Sequence, residues 1–153
     1  MKWNFWVALV LLFLFSNEYL SEFALGLFVG DLGVSNAIDR TFQFASFSSY
    51  FFSAGFRAIP FLALAVISVK SHYRHKAAGR FALWLALFGI SAFHLFGYWE
   101  MQHSLFTNER ASSTAAIAVI WIPVWATILL GLGYAILRIA EQILRMFRAR
   151  ARA

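Results

Sequence analysis

Apolar and polar residues follow one another along this chain in long blocks, not in the short alternations of a soluble helix or strand. Four predominantly apolar blocks cover about residues 3–20, 50–69, 81–101 and 115–137. About 20 helical residues cross the hydrocarbon core of a bilayer, which is about 30 Å thick. The pattern therefore predicts an all-α integral membrane protein, with four transmembrane helices in two hairpins that form a single domain over residues 1–153.

The polar stretches between these blocks give the orientation of the helices. Lys and Arg are concentrated in residues 70–80 and 138–153, whereas most acidic residues fall in the stretches predicted for the other side. Lys and Arg in short loops stay in the cytoplasm during insertion. We therefore expect both termini, the loop 70–80 and the basic tail 138–153 to be cytoplasmic in a multi-pass cell-membrane protein, which in a bacterium means the inner membrane.

Residues 21–36 are apolar but interrupted by glycines, and they are too few to span a bilayer. This favours a short interfacial helix after the first span, with a re-entrant element lining a cavity as the alternative. Two pairs of small residues have the four-residue spacing that lets membrane helices approach closely, namely Gly26 with Gly30 and Thr127 with Gly131. These pairs predict helix packing and favour a homo-oligomer.

Residues 138–153 predict an amphipathic C-terminal helix. Arg138, Arg145 and Arg152 recur every seven residues, away from a stripe of apolar residues at three- and four-residue steps. We expect the stripe to enter the headgroup region, or the arginines to bind a cytoplasmic protein partner. The residues expected to bind anionic lipid or that partner are Lys70, Arg74, Lys76, Arg80, Arg145, Arg148 and Arg152.

The composition narrows the classes of function. The chain is 61% hydrophobic and 13% charged, which excludes a soluble domain. The net charge of +6 comes from basic residues that flank apolar blocks, a pattern typical of membrane surfaces and not of nucleic-acid binding. Because the chain contains no cysteine, disulfides, thiolate chemistry and cysteine metal sites are excluded.

Arg57 is the sharpest signal for a site, because it falls inside the second predicted span. An arginine near the centre of a membrane helix costs about 2.5–3.5 kcal/mol on insertion scales, so it needs a partner. The second and third helices run antiparallel, which favours Glu100 as that partner, with Glu18 as the alternative. The site is interpreted as an ion pair that holds the bundle together, or alternatively as a site for an ion or an anionic headgroup.

His94 and the pair Glu100 and His103 are candidate cofactor or metal ligands. A single intramembrane His favours a packed, hydrogen-bonded side chain over haem binding or proton relay. Glu100 and His103 have Glu-x-x-His spacing, but a di-iron bundle needs several more carboxylates on facing helices, and the predicted spans do not supply them. No nucleophile stands beside a base, so we expect no enzymatic activity, no catalytic residue, no metal and no cofactor.

These observations predict a non-enzymatic tetraspan membrane subunit. It would oligomerise and anchor or signal to a cytoplasmic partner or anionic lipid through its basic loop and tail. The alternative is an oligomeric ion channel or small-solute transporter with a path near Arg57.

The predicted topology is tested by labelling single cysteines in this cysteine-free chain. Ser71→Cys and Thr107→Cys are expected to react with a membrane-impermeant reagent from opposite sides of sealed vesicles, because the loop 70–80 is predicted to be cytoplasmic. Labelling of both from the same side would contradict the four-span topology.

Overall fold

The computed structural model describes residues 3–70, 76–107 and 115–150, and this part of the chain is all-helical, without strands. Three helices are long and apolar enough to cross a membrane, and a bent pair of helices is a fourth candidate span. The predicted class of helical membrane protein is confirmed, and these helices indicate a membrane location. In chain order the helices are α1 (Trp3–Phe15), α2 (Glu18–Phe28), α3 (Val34–Phe42), α4 (Phe47–Lys70), α5 (Ala77–His103) and α6 (Ala115–Arg150).

The first apolar block is broken, which corrects the expected continuous helix over residues 3–20. α1 ends at Phe15, and α2 leaves it at an angle of 62°. The cause is Asn17, whose side-chain oxygen accepts the N–H of Leu20 at 2.8 Å while its amide donates to the Leu14 carbonyl at 2.6 Å. One side chain therefore ends α1 and caps the N-terminus of α2.

α2 packs along the C-terminal part of α5, and α3 packs on α2; the end of the bundle where they lie is called here the capped end. The Ser21 hydroxyl donates to the Leu95 carbonyl of α5 at 3.3 Å. α3 packs on α2 where a Cβ on Gly26 would lie only 3.3 Å from that of Ala37. Where one short interfacial helix was expected, the chain forms two packed helices.

The residues after α5 fasten the capped end. Arg40 of α3 donates from Nη2 to the Leu105 carbonyl at 3.0 Å, and its guanidinium lies 3.9 Å from the centre of the Phe106 ring. The same ring would lie within 2.8 Å of a Cβ on Gly30. Glycine at position 30 therefore lets the turn after α5 pack directly on the end of α2.

The buried residues on the inward faces of α4 and α5 are apolar in one half of the bundle and polar in the other. Away from the capped end, the interior is an apolar cluster formed by Phe5, Leu9, Phe61, Leu64, Leu83, Leu87 and Ile90. Towards the capped end, the buried positions become Ser53 and Arg57 on α4 and His94 and Tyr98 on α5. The rings of Phe61 and His94, 5.7 Å apart, mark the boundary between the two halves.

α6 closes the bundle against α4 and α5. A Cβ on Gly97 would meet Ile122 at 3.0 Å, so glycine allows the close approach of α5 and α6. Thr127 donates to the Pro123 carbonyl at 2.8 Å, whereas Gly131 has open space at the position of a Cβ. Further from the capped end, an apolar groove of about 540 Å³ lies between α5 and α6.

The expected amphipathic C-terminal helix is not a separate element. α6 continues without a break from Ala115 to Arg150, and the tail is its last part. From Ala135 onwards, every residue whose burial is described is exposed except Glu141, which is half-buried. This final part of α6 therefore extends away from the rest of the bundle.

Candidate polar site inside the helix bundle

The polar half of the bundle brings together side chains from three helices and the break between α1 and α2. Ser53 and Arg57 lie one turn apart on α4, and His94 and Tyr98 lie one turn apart on α5. The four-residue spacing places each pair on one face of its helix. Glu18 reaches the same region as the first residue of α2.

Arg57 forms an ion pair with Glu18. Its Nη1 donates to Oε2 of Glu18 at 3.1 Å, the arginine is fully buried, and the glutamate side chain is 12% exposed. The expected pairing with Glu100 does not form, since Glu100 is exposed on α5. The bend at Asn17 explains the difference, because it directs the start of α2 towards α4.

Aromatic rings complete the surroundings of the guanidinium. Its central carbon lies 5.2 Å from the centre of the Phe13 ring and 5.8 Å from that of Tyr50. Cations at such distances are attracted to the ring faces, more strongly where water is excluded. Arg57 therefore interacts with α1, α2 and another turn of α4 at once.

The ion pair uses only part of the hydrogen-bonding capacity of the site. Among the described residues, Arg57 Nε and Nη2, Ser53 Oγ, Tyr98 Oη and His94 Nε2 are buried without a hydrogen-bond partner, as are Ser16 Oγ and Gln102 Oε1. A buried polar group that remains unpaired costs about 1–3 kcal/mol. These groups favour a polar guest or water in this half of the bundle.

His94 has a defined hydrogen-bonding role. Nδ1 lies 2.8 Å from the Ile90 carbonyl, which only accepts, so this nitrogen carries the proton. In the neutral ring, Nε2 is then an acceptor, whereas Arg57 offers only donors. The site therefore presents donor and acceptor groups from facing helices, with the hydroxyls of Ser53 and Tyr98 able to act as either.

The other predicted site residues fall outside this cluster. Lys76 and Arg80 are exposed at the start of α5, and Lys70, Arg145 and Arg148 belong to α4 and α6. Arg74 and Arg152 lie outside the described residues. The residues 3–70, 76–107 and 115–150 contain no group of three or more His, Cys, Asp or Glu placed to hold a metal ion.

Sequence reasoning missed Ser53 and Tyr98 as members of the site. The available signal was helical spacing, because Ser53 lies four residues before Arg57 and Tyr98 four residues after His94. Such spacing puts the two side chains of each pair on one face of the helix, so Ser53 shares the face of Arg57 and Tyr98 that of His94.

Comparison with protein families, curated proteins and solved structures finds no match to this chain. The interpretation of the site therefore depends on its own geometry.

The ion pair is tested by removing its charges singly and together. Glu18→Gln is expected to lower the free energy of unfolding by about 3–5 kcal/mol, because it leaves a buried guanidinium without its counter-charge. Adding Arg57→Gln should recover part of this loss. The measurement is equilibrium unfolding of the purified protein in one detergent.

Glu100→Gln is the matched control, since it removes an exposed carboxylate from α5 and should change stability by less than about 0.5 kcal/mol. A loss at Glu100→Gln as large as at Glu18→Gln would show that α5 supplies the partner.

Proposed function

We propose that this chain is a non-enzymatic membrane subunit that oligomerises and presents basic surfaces to the cytoplasm. One surface, formed by the loop 70–80, lies at the bilayer and binds anionic lipid headgroups. The other, formed by the arginines of the tail, binds an acidic protein partner. The observation that carries this proposal is the unbroken continuation of α6 beyond the length that a bilayer needs.

The length of α6 separates the two basic surfaces. Its 36 residues make a helix about 54 Å long, about 24 Å more than the hydrocarbon core requires. Arg138 is its first charged residue, and neither glycine nor proline follows Gly133. Sharp bends need such residues or an inserted group, so α6 is expected to leave the membrane without turning along its surface.

Electrostatic attraction to the headgroups is short-ranged, which favours a protein partner for the arginines at the far end of the tail. Arg150 lies twelve residues beyond Arg138, a rise of about 18 Å. The Debye length at physiological ionic strength is about 8 Å, so a charge at that height interacts weakly with the headgroups. An acidic protein that contacts the tail directly is not limited by this distance.

The loop 70–80 is placed differently. Lys76 occupies the N-cap position of α5 and Arg80 lies in the first turn of that helix, both exposed, while Lys70 ends α4. Because these two helices are candidate spans, their basic ends meet the bilayer surface. A Lys or Arg near an anionic surface contributes about 1 kcal/mol of attraction, so the loop supports lipid binding.

A second function, an ion or small-solute path near Arg57, is favoured by the unpaired polar groups of the bundle interior. Arg57 Nε on α4 and His94 Nε2 on α5 are buried there without hydrogen-bond partners among the described residues. Such a path would depend on the charge of Arg57, so flux through proteoliposomes that persists in the Arg57→Gln, Glu18→Gln double variant would exclude it.

The proposed separation of lipid and partner surfaces is tested with a fluorophore on Ala149→Cys in the reconstituted full-length protein. We expect a water-soluble quencher to reach it equally in neutral and anionic bilayers, because the tail extends into solvent. Soluble polyglutamate should protect it at low salt and lose this effect near 1 M salt, where the Debye length is about 3 Å.

Two variants control this measurement. A label on Ala135→Cys, in the apolar part of α6, should stay protected in both bilayers. Replacing Arg145, Arg148 and Arg152 with glutamine should abolish protection by polyglutamate. If the label at position 149 is instead shielded in anionic bilayers alone, the tail binds lipid and the partner surface is wrongly assigned.

A further inference from the structure

α6 carries a heptad repeat along one exposed face. Apolar residues recur at alternating steps of three and four, and the repeat ends where Arg150 takes the next position. Each side chain of this stripe, called here the α6 seam, is at least 41% exposed. The seam consists of Leu129, Leu132, Ile136, Ile139, Ile143 and Met146.

From this pattern we infer that the α6 seam is the surface on which a second copy of this chain packs, with the two α6 helices parallel. The inference rests on the proposed function and specifies the interface of the oligomer. A spacing of 3.5 residues keeps a stripe facing its partner only when two helices supercoil around each other. A bilayer surface imposes no such period.

The membrane makes a second copy the best-matched partner. All copies insert with the same orientation, so the seam of each α6 meets the same residues of another at the same depth. A parallel two-fold pair then aligns the seams without any shift in register. Another protein would have to supply an equivalent repeat at the same depth.

The charges of the tail agree with this pairing. Arg138 and Glu141 lie on the opposite side of α6 from the seam, where they approach each other to 4.0 Å. Arg145 follows Arg138 by one heptad and therefore shares its face. Gly133, Ala135 and Ala140, all exposed, flank the seam with small side chains that permit close approach. The like charges of Arg138 and Arg145 in two copies are thus kept away from the contact.

Beyond Arg138 the pairing has a further driving force. In the hydrocarbon core, pairing of the seams is stabilised only by van der Waals packing, because lipid tails are as apolar as the seam itself. Ile139, Ile143 and Met146 lie past the first charge of α6, where water surrounds an unpaired tail and burial of apolar surface is favourable. An isolated helical segment of this length is also marginal in water and is stabilised by a partner.

Disulfide formation in the full-length protein, in native membranes, tests the seam. Ile139→Cys and Ile143→Cys should each give a covalent dimer on oxidation, because facing seam positions approach closely in a parallel pair. Glu141→Cys, on the opposite face of the same turn, should give none. The chain contains no other cysteine to confuse the result.

A second pair of variants separates loss of the seam from loss of folding. Met146→Cys combined with Ile139→Asp should lose the covalent dimer, whereas Met146→Cys combined with Leu144→Asp, which introduces the same charge off the seam, should keep it.

The mass of the detergent-solubilised protein separates failure of this inference from failure of the proposed function. An oligomer that forms no disulfide at the seam, or forms it equally at position 141, overturns the seam and leaves the proposed function in place. A monomer overturns both the seam and the proposed oligomerisation.

Discussion

A positive charge buried among apolar helices needs a counter-charge, and Arg57 obtains it from Glu18 at 3.1 Å. Without the pair, the guanidinium would be buried among the helices with no counter-charge, which is costly. Glu18 reaches it because Asn17 ends α1 and starts α2 at 62°. The bend, the ion pair and the packing of α2 on α5 are therefore one linked feature.

The ion pair also explains why the bundle has two different halves. On the side of Phe61 and His94 away from the capped end, the interior packs as an apolar cluster. Near the capped end it contains Arg57 and polar side chains that are only partly hydrogen-bonded. Fully satisfied polar networks rigidify a core, and partly satisfied ones are costly unless something else completes them. The apolar half provides rigidity, and the polar half is where a guest or water would bind.

Hydropathy predicted α4, α5 and the membrane part of α6 closely, because long apolar blocks allow few alternatives. It did not predict the break after Phe15, since only three polar residues interrupt the apolar block there and the cause is the single Asn17 side chain. Glu100 was preferred to Glu18 as the partner of Arg57 because the second and third helices run antiparallel, an argument that did not include the bend. The continuity of the tail with α6 was missed because Arg138 looks like the end of a span.

Reversal of both charges tests this account most directly. Glu18→Arg and Arg57→Glu, each alone, place two like charges together and should prevent a stably folded protein in detergent. The two reversals combined should restore most of the unfolding midpoint, because the pair is re-formed with its polarity exchanged. A double variant that is no more stable than either single variant would contradict the central role of the Arg57 and Glu18 pair.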